Sequence, residues 1–133
     1  VKNDTFMAQL AAKCCLRAHR SGRAFTLEHL GRSRALDDVF WKELLAEPNV
    51  FSVYHHHCMF ADCNKKKFEV LITNIPQIRP WLSRVCEGNA ACSRTLAAHA
   101  SLAPAVVQGY IRSYGTTDTA EYPSELCSEQ ALA

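Results

Sequence analysis

The sequence predicts an α/β fold from three observations. A helical pattern at the start leads straight into Ala24-Phe25-Thr26-Leu27-Glu28, which reads as a short, fully buried strand. The stretch Val50 to Pro76 holds two further runs, Val50–Tyr54 and Phe68–Thr73, rich in the β-branched and aromatic residues that suit a pleated strand. An amphipathic segment lies between the first and second runs, as in a strand–helix–strand unit. The expected sheet has Ala24–Glu28 parallel to Val50–Tyr54, with the helix as a right-handed crossover, and Phe68–Thr73 returning antiparallel.

Asp4-Thr5 can cap a first helix over roughly Phe6 to Arg20, with Met7, Leu10, Ala11, Cys14 and Ala18 at helical spacing. Ser21-Gly22 ends it. Gly31-Arg32-Ser33-Arg34 is a polar connection. A second helix follows from about Asp38 to Ala46, carrying Phe40-Trp41 and Leu44-Leu45 as core or docking residues, and stops before Pro48. Asn74 and Pro76 end the third strand. Pro80-Trp81-Leu82 belongs to a short apolar helix around Ile78 to Val85, and Ala103 to Tyr110 reads as another. Tyr114-Gly115-Thr116-Thr117 reads as loop, and Tyr122-Pro123 opens a final helical turn.

The chain has 133 residues and is 48% hydrophobic, enough for one domain with a real core. We expect residues 1–85 to form the α/β part and 86–133 an irregular Cys/His-containing lobe. The opening at Val1, directly in a helical pattern, suggests a piece of a larger domain. A net charge of +2 does not by itself argue for nucleic acid. No apolar run reaches the ~18 to 20 residues that cross a bilayer. Seven cysteines, two of them adjacent at Cys14 and Cys15, suit an intracellular chain with reduced thiols.

Three constellations carry possible chemistry. Glu28 ends the first strand, where open α/β sheets place ligand groups. It is either a proton donor and hydrogen-bond acceptor there, or an edge residue capping the Gly31-Arg32 loop or pairing with Arg32 or Arg34. Cys86, Cys92 and His99 have five and six residues between them, and Cys58, His57 or Cys63 can complete four ligands for zinc. Zinc knuckles usually space ligand pairs more tightly, so the alternative is buried cysteines with a hydrogen-bonded histidine. In His55-His56-His57, alternate rings should point to opposite faces, one to the core and one to solvent. Lys65-Lys66-Lys67 can meet phosphates, or can be a solvated turn that guards against edge pairing. The chain has no GxGxxG after a strand, no P-loop, no GxSxG and no HExxH.

The order of these pieces resembles the second half of a C5-cytosine DNA methyltransferase catalytic domain. More closely, it is similar to methyltransferase-like domains in polyproteins of mobile genetic elements from protists, algae and fungi. The residues that carry the resemblance are Glu28-His29-Leu30-Gly31-Arg32-Ser33, His56-His57-Cys58-Met59-Phe60-Ala61, Cys92-Ser93-Arg94-Thr95-Leu96-Ala97-Ala98-His99 and Tyr122-Pro123-Ser124-Glu125-Leu126-Cys127. The chain departs from the pattern at His29 for Asn, Leu30 for Pro or Val, Ala61 for Gly and Leu96 for Gly.

The resemblance implies the C-terminal half of a Rossmann-like methyltransferase sheet acting on DNA with S-adenosylmethionine, in the nucleus. It makes Glu28 the catalytic group that holds the base, and Lys65, Lys66, Lys67 and Arg32 the nucleic-acid contacts. The half that carries the methyl-donor loop and the Pro-Cys nucleophile is missing from this chain. Activity would therefore require a missing N-terminal half or a partner chain. The alternative is a non-catalytic zinc-stabilised module for nucleic acid or protein, held by Cys58, Cys86, Cys92 and His99. A third option is a decayed element product.

Overall fold

The computed structural model of the chain describes residues 2–102 and two strands, 104–107 and 110–114. Helix α1 spans Lys2–Arg20, and α2 spans Val39–Ala46. Strands β1 (Thr26–Leu30), β2 (Phe51–His56) and β3 (Phe68–Thr73) form one sheet in the order β1-β3-β2.

The sheet is antiparallel throughout, which corrects the parallel pair expected from the sequence. Thr26 lies opposite Thr73 and Leu30 opposite Glu69, while Phe51 lies opposite Thr73 and His56 opposite Phe68. β1 and β2 do run in the same direction, because each opposes β3, but β3 is inserted between them. The reason lies in β3 itself. Five of its six residues, Glu69 to Thr73, are buried, so it needs cover on both faces and ladders on both edges. A hairpin return from β2 supplies one ladder locally. The crossover through α2 leaves a slot beside β1 that supplies the other. The half-Rossmann frame is therefore not what this chain builds.

β1 is also displaced and more exposed than expected. Its ends, Thr26 and Leu30, are exposed, as suits an edge strand. Phe25 stays outside the strand but buried, and its amide donates to the Asn74 side chain at 2.9 Å. Asn74 also donates to the Arg23 carbonyl at 2.8 Å, so one side chain fixes the turn from α1 into β1.

The two faces of the sheet differ. On one, α1 and α2 press Ala12, Leu16, Trp41 and Leu44 onto Val70 and Ile72. Asp38 caps α2 by accepting from the Phe40 amide at 2.9 Å and ties it to α1 through Gln9, also at 2.9 Å. The Trp41 indole donates to the Ala8 carbonyl at 2.9 Å. On the other face, a smaller cluster packs Val53, Phe60, Ile78 and Leu82 around Leu71. The helix expected over Ile78 to Val85 shrinks to a 3₁₀ turn, Pro76–Ile78, and one α-turn, α3 (Arg79–Leu82).

Beyond α3 the chain is irregular to residue 102, as the polar, punctuated sequence suggested, apart from a single bridge between Ala91 and Ala98. The helix expected at Ala103 to Tyr110 is instead strand β4 (Pro104–Val107), paired antiparallel with β5 (Tyr110–Tyr114). Val106, Val107 and Ile111 are β-branched, and this preference outweighs the helical spacing. The expected loop at 114–117 thus begins with a strand residue, Tyr114. The expected turn at 122–127 lies outside the described residues. Among the described residues, no helix is long and apolar enough to cross a membrane.

Candidate metal centre

Three separate stretches bring four ligand-type side chains together on the thinner face of the sheet. Cys58 sits in a 3₁₀ turn, His57–Met59, directly after β2. Cys86 follows α3. Cys92 and His99 flank a tight loop closed by Cys92 N–H to Ala97 O at 2.8 Å and His99 N–H to Ala90 O at 2.8 Å. The Sγ atoms of Cys58, Cys86 and Cys92 and one ring nitrogen of His99 all lie within 4.8 Å of one another. These are the four residues that the sequence offered as a zinc set.

The geometry suits a tetrahedral ion. Zinc–sulfur and zinc–nitrogen bond lengths imply ligand–ligand edges of about 3.5 to 3.8 Å. Cys86 Sγ and His99 Nε2 are 3.6 Å apart. The other ring nitrogen of His99, Nδ1, donates to the Asn89 carbonyl at 2.8 Å, which leaves Nε2 as the lone-pair nitrogen facing the sulfurs. All three cysteines are buried and unlinked by disulfides.

The surroundings prepare two of the thiols for ionisation. Burial pushes Cys86 up, but hydrogen bonds from the Ser93 hydroxyl and backbone amide outweigh it and bring the thiol to about 6. Burial also pushes Cys92 up, and the Thr95 and Arg94 backbone bonds bring it down to about 7. Cys58 moves the other way, raised first by burial and then by its two thiol neighbours. An ion binding here must displace a proton from Cys58, so its hold depends on pH.

Neighbouring groups tie the four candidate ligands to the fold. Arg94 donates to the carbonyls of Cys58 and Phe60, each at 2.9 Å, and so grips the ligand turn from below. His56 Nδ1 accepts from the Cys86 amide at 2.9 Å, joining the second ligand to β2. Burial, followed by the nearby Lys66 charge, lowers His56 to about 4, which keeps that acceptor neutral. At Gly88 a Cβ would collide with the Ala91 carbonyl and the Ser93 amide, so only glycine fits the loop between Cys86 and Cys92. Leu96 adopts φ 62°, the left-handed conformation glycine favours.

The other residues singled out in the sequence fall elsewhere. Glu28 stands within β1 opposite Leu71, two residues before the strand ends, not beyond its carboxyl end. Arg32 and the 65–67 link share one end of the sheet, where the Gly31 amide donates to the Phe68 carbonyl at 3.0 Å. The lysines there turn into the fold. Lys66 donates to the Gly88 carbonyl, and Lys67 pairs with Glu69 at 2.9 Å. The Arg32 guanidinium lies 5.8 Å above the Phe68 ring. Arg94 and Glu69 join these clusters although nothing in their sequence spacing marks them. His55 and His57 were recognisable, because two residues' separation on a strand places both rings on one face. No protein-family model matches the chain, and neither curated proteins nor solved structures give a match.

Proposed function

We propose that this chain is a non-catalytic, zinc-stabilised binding module, in which one zinc ion clamps the irregular lobe onto the sheet. The observation that carries this reading is the convergence of Cys58, Cys86, Cys92 and His99, from three stretches of chain, within 4.8 Å. Three thiolates and one imidazole are a set that zinc prefers, and four protein ligands close the site to substrate. The role of such an ion is structural.

The transferase reading needs a parallel, doubly wound frame, and this sheet is antiparallel. Lys66 and Lys67 are engaged within the fold, which weighs against the lysine run as a phosphate-contacting surface. Metal analysis of purified protein tests the zinc assignment. Zinc that is retained through dialysis and lost on Cys92→Ser supports it, whereas metal-free protein that stays fully folded refutes it. Titration with duplex DNA at several salt concentrations tests the partner. A binding constant that falls steeply with salt, and less steeply when the three lysines are replaced by Gln, would restore nucleic acid.

A further inference from the structure

We propose that His55, His57 and Glu69 form a second, buried site for one divalent transition metal of the zinc class, separate from the Cys/His centre and independent of it. Their three ligand atoms lie within 4.8 Å of one another. The register explains the convergence. His55 on β2 faces Glu69 on β3 directly across the ladder, and His57 continues the same face just past the end of β2. All three side chains are at least nine-tenths buried.

Hydrogen bonding within the protein accounts for only part of this cluster. Glu69 Oε2 lies 3.0 Å from His57 Nε2, and Oε1 lies 2.9 Å from Lys67 Nζ. His55 is the part left over. It is fully buried, and neither ring nitrogen makes a well-formed hydrogen bond, although the Val53 backbone lies close enough to act on the ring. The Nε2 atom is aimed at Glu69 Oε2 but stops 3.9 Å short. A buried imidazole without a well-formed hydrogen bond is costly, and a bound ion removes the cost by taking its lone pair.

The separations around Glu69 Oε2, 3.0 Å to His57 and 3.9 Å to His55, bracket the edge of a tetrahedral nitrogen–oxygen site, about 3.3 to 3.5 Å. Glu69 divides its two oxygens accordingly. Lys67 holds Oε1 and leaves Oε2 for the ion, which is the supporting contact a ligating carboxylate needs. Two imidazoles and a carboxylate form a borderline donor set that favours zinc or cobalt over calcium or magnesium. Three protein ligands leave one position for a water.

The test is a metal count on the full chain, with zinc and then cobalt as the probe. The expected result is two equivalents for wild type, one for His55→Phe and one for Cys92→Ser. His55 lies against Phe60, so an aromatic replacement keeps the packing while removing the donor. Cobalt distinguishes the sites by spectrum. The Cys/His centre gives a thiolate-to-cobalt charge-transfer band, and the second equivalent should add visible absorption without enlarging that band. A wild-type count of one, unchanged by His55→Phe and abolished by Cys92→Ser, overturns the second site and leaves the zinc module standing. A second equivalent that survives His55→Phe also overturns it. Loss of the charge-transfer band with retention of the other equivalent would instead refute the Cys/His centre alone.

Discussion

The two faces of β3 solve the same problem in different ways. Val70 and Ile72 are covered by two helices that bring Trp41, Leu44 and Leu16, a conventional apolar core. Leu71, on the opposite face, is covered by a smaller cluster of Val53, Phe60, Ile78 and Leu82, flanked by a group whose buried members are three cysteines. Polar and sulfur-bearing side chains bury less apolar area than leucine or tryptophan, so this side gains less from the hydrophobic effect. Between α3 and residue 102 the one backbone ladder is the Ala91–Ala98 bridge. Hydrogen bonds from Arg94 and to His56 tie this segment to the sheet, and on the zinc-module reading ligand bonds add to them. On the zinc-module reading, the thin face is the metal-dependent one.

The sharpest way to break this contrast is to remove the ion. Structural zinc contributes on the order of 10 kcal/mol in small modules. A strong chelator should therefore abolish amide protection between Cys86 and His99, with the amides of α1 and α2 less affected, as read by hydrogen exchange. Equal loss on both faces would show that the helical side cannot stand alone.

Trp41→Ala attacks the other side. Trp41 is 1% exposed and spans both helices. Its removal should cost about 3 to 5 kcal/mol by urea denaturation of the metal-loaded protein. Metal stoichiometry under native conditions should not change.

Leu96→Gly should improve the metal loop. Leu96 holds φ 62° and is 82% exposed, so glycine relieves backbone strain without removing packing. The gain should be about 1 kcal/mol, visible as a higher Tm of the zinc form. A lower Tm would mean that Leu96 makes contacts worth more than the strain.

Acid should separate the faces last and most gently. Asp38 is held below its ordinary 3.8, first by the Gln9 hydrogen bond and then by the Phe40 amide. Its folded value is depressed, so its contribution is present above 3.8 and is lost as pH falls through the folded value. The Cys/His lobe should fail at higher pH, because its ligands must be deprotonated to hold an ion. Exchange measured stepwise from pH 7 to pH 3 should show the lobe opening before α2 frays. Asp38→Asn should flatten only the lower step.

The sequence displays β3 almost completely, since a strand buried on both faces reads as one apolar run. It places α2 and the end of α1 closely, because caps and punctuation are local, but α1 starts at Lys2, so Asp4 lies in its first turn and Asp4-Thr5 does not cap it. Pairing was not legible. Whether β1 lies beside β2 or beside β3 depends on which strand takes the centre, and burial on two faces, not adjacency in sequence, decides that. The four cysteine and histidine ligands were visible as residue types, although their spacing was unusual. The grip of Arg94 on two carbonyls 34 and 36 residues away is a tertiary fact with no local sequence signal. Glu69 was hidden inside an apolar strand, where its charge read as an interruption.

His57 and Cys58 are joined by one peptide bond, yet each belongs to a different cluster. A strain applied at either cluster reaches the other through that single rigid unit, with no flexible segment to absorb it. Ion release from the lobe should for that reason be felt at the end of β2 as a modest loss of amide protection around His57, while the second cluster keeps its own ligands. Lengthening the chain by a glycine between these two residues should abolish that loss of protection.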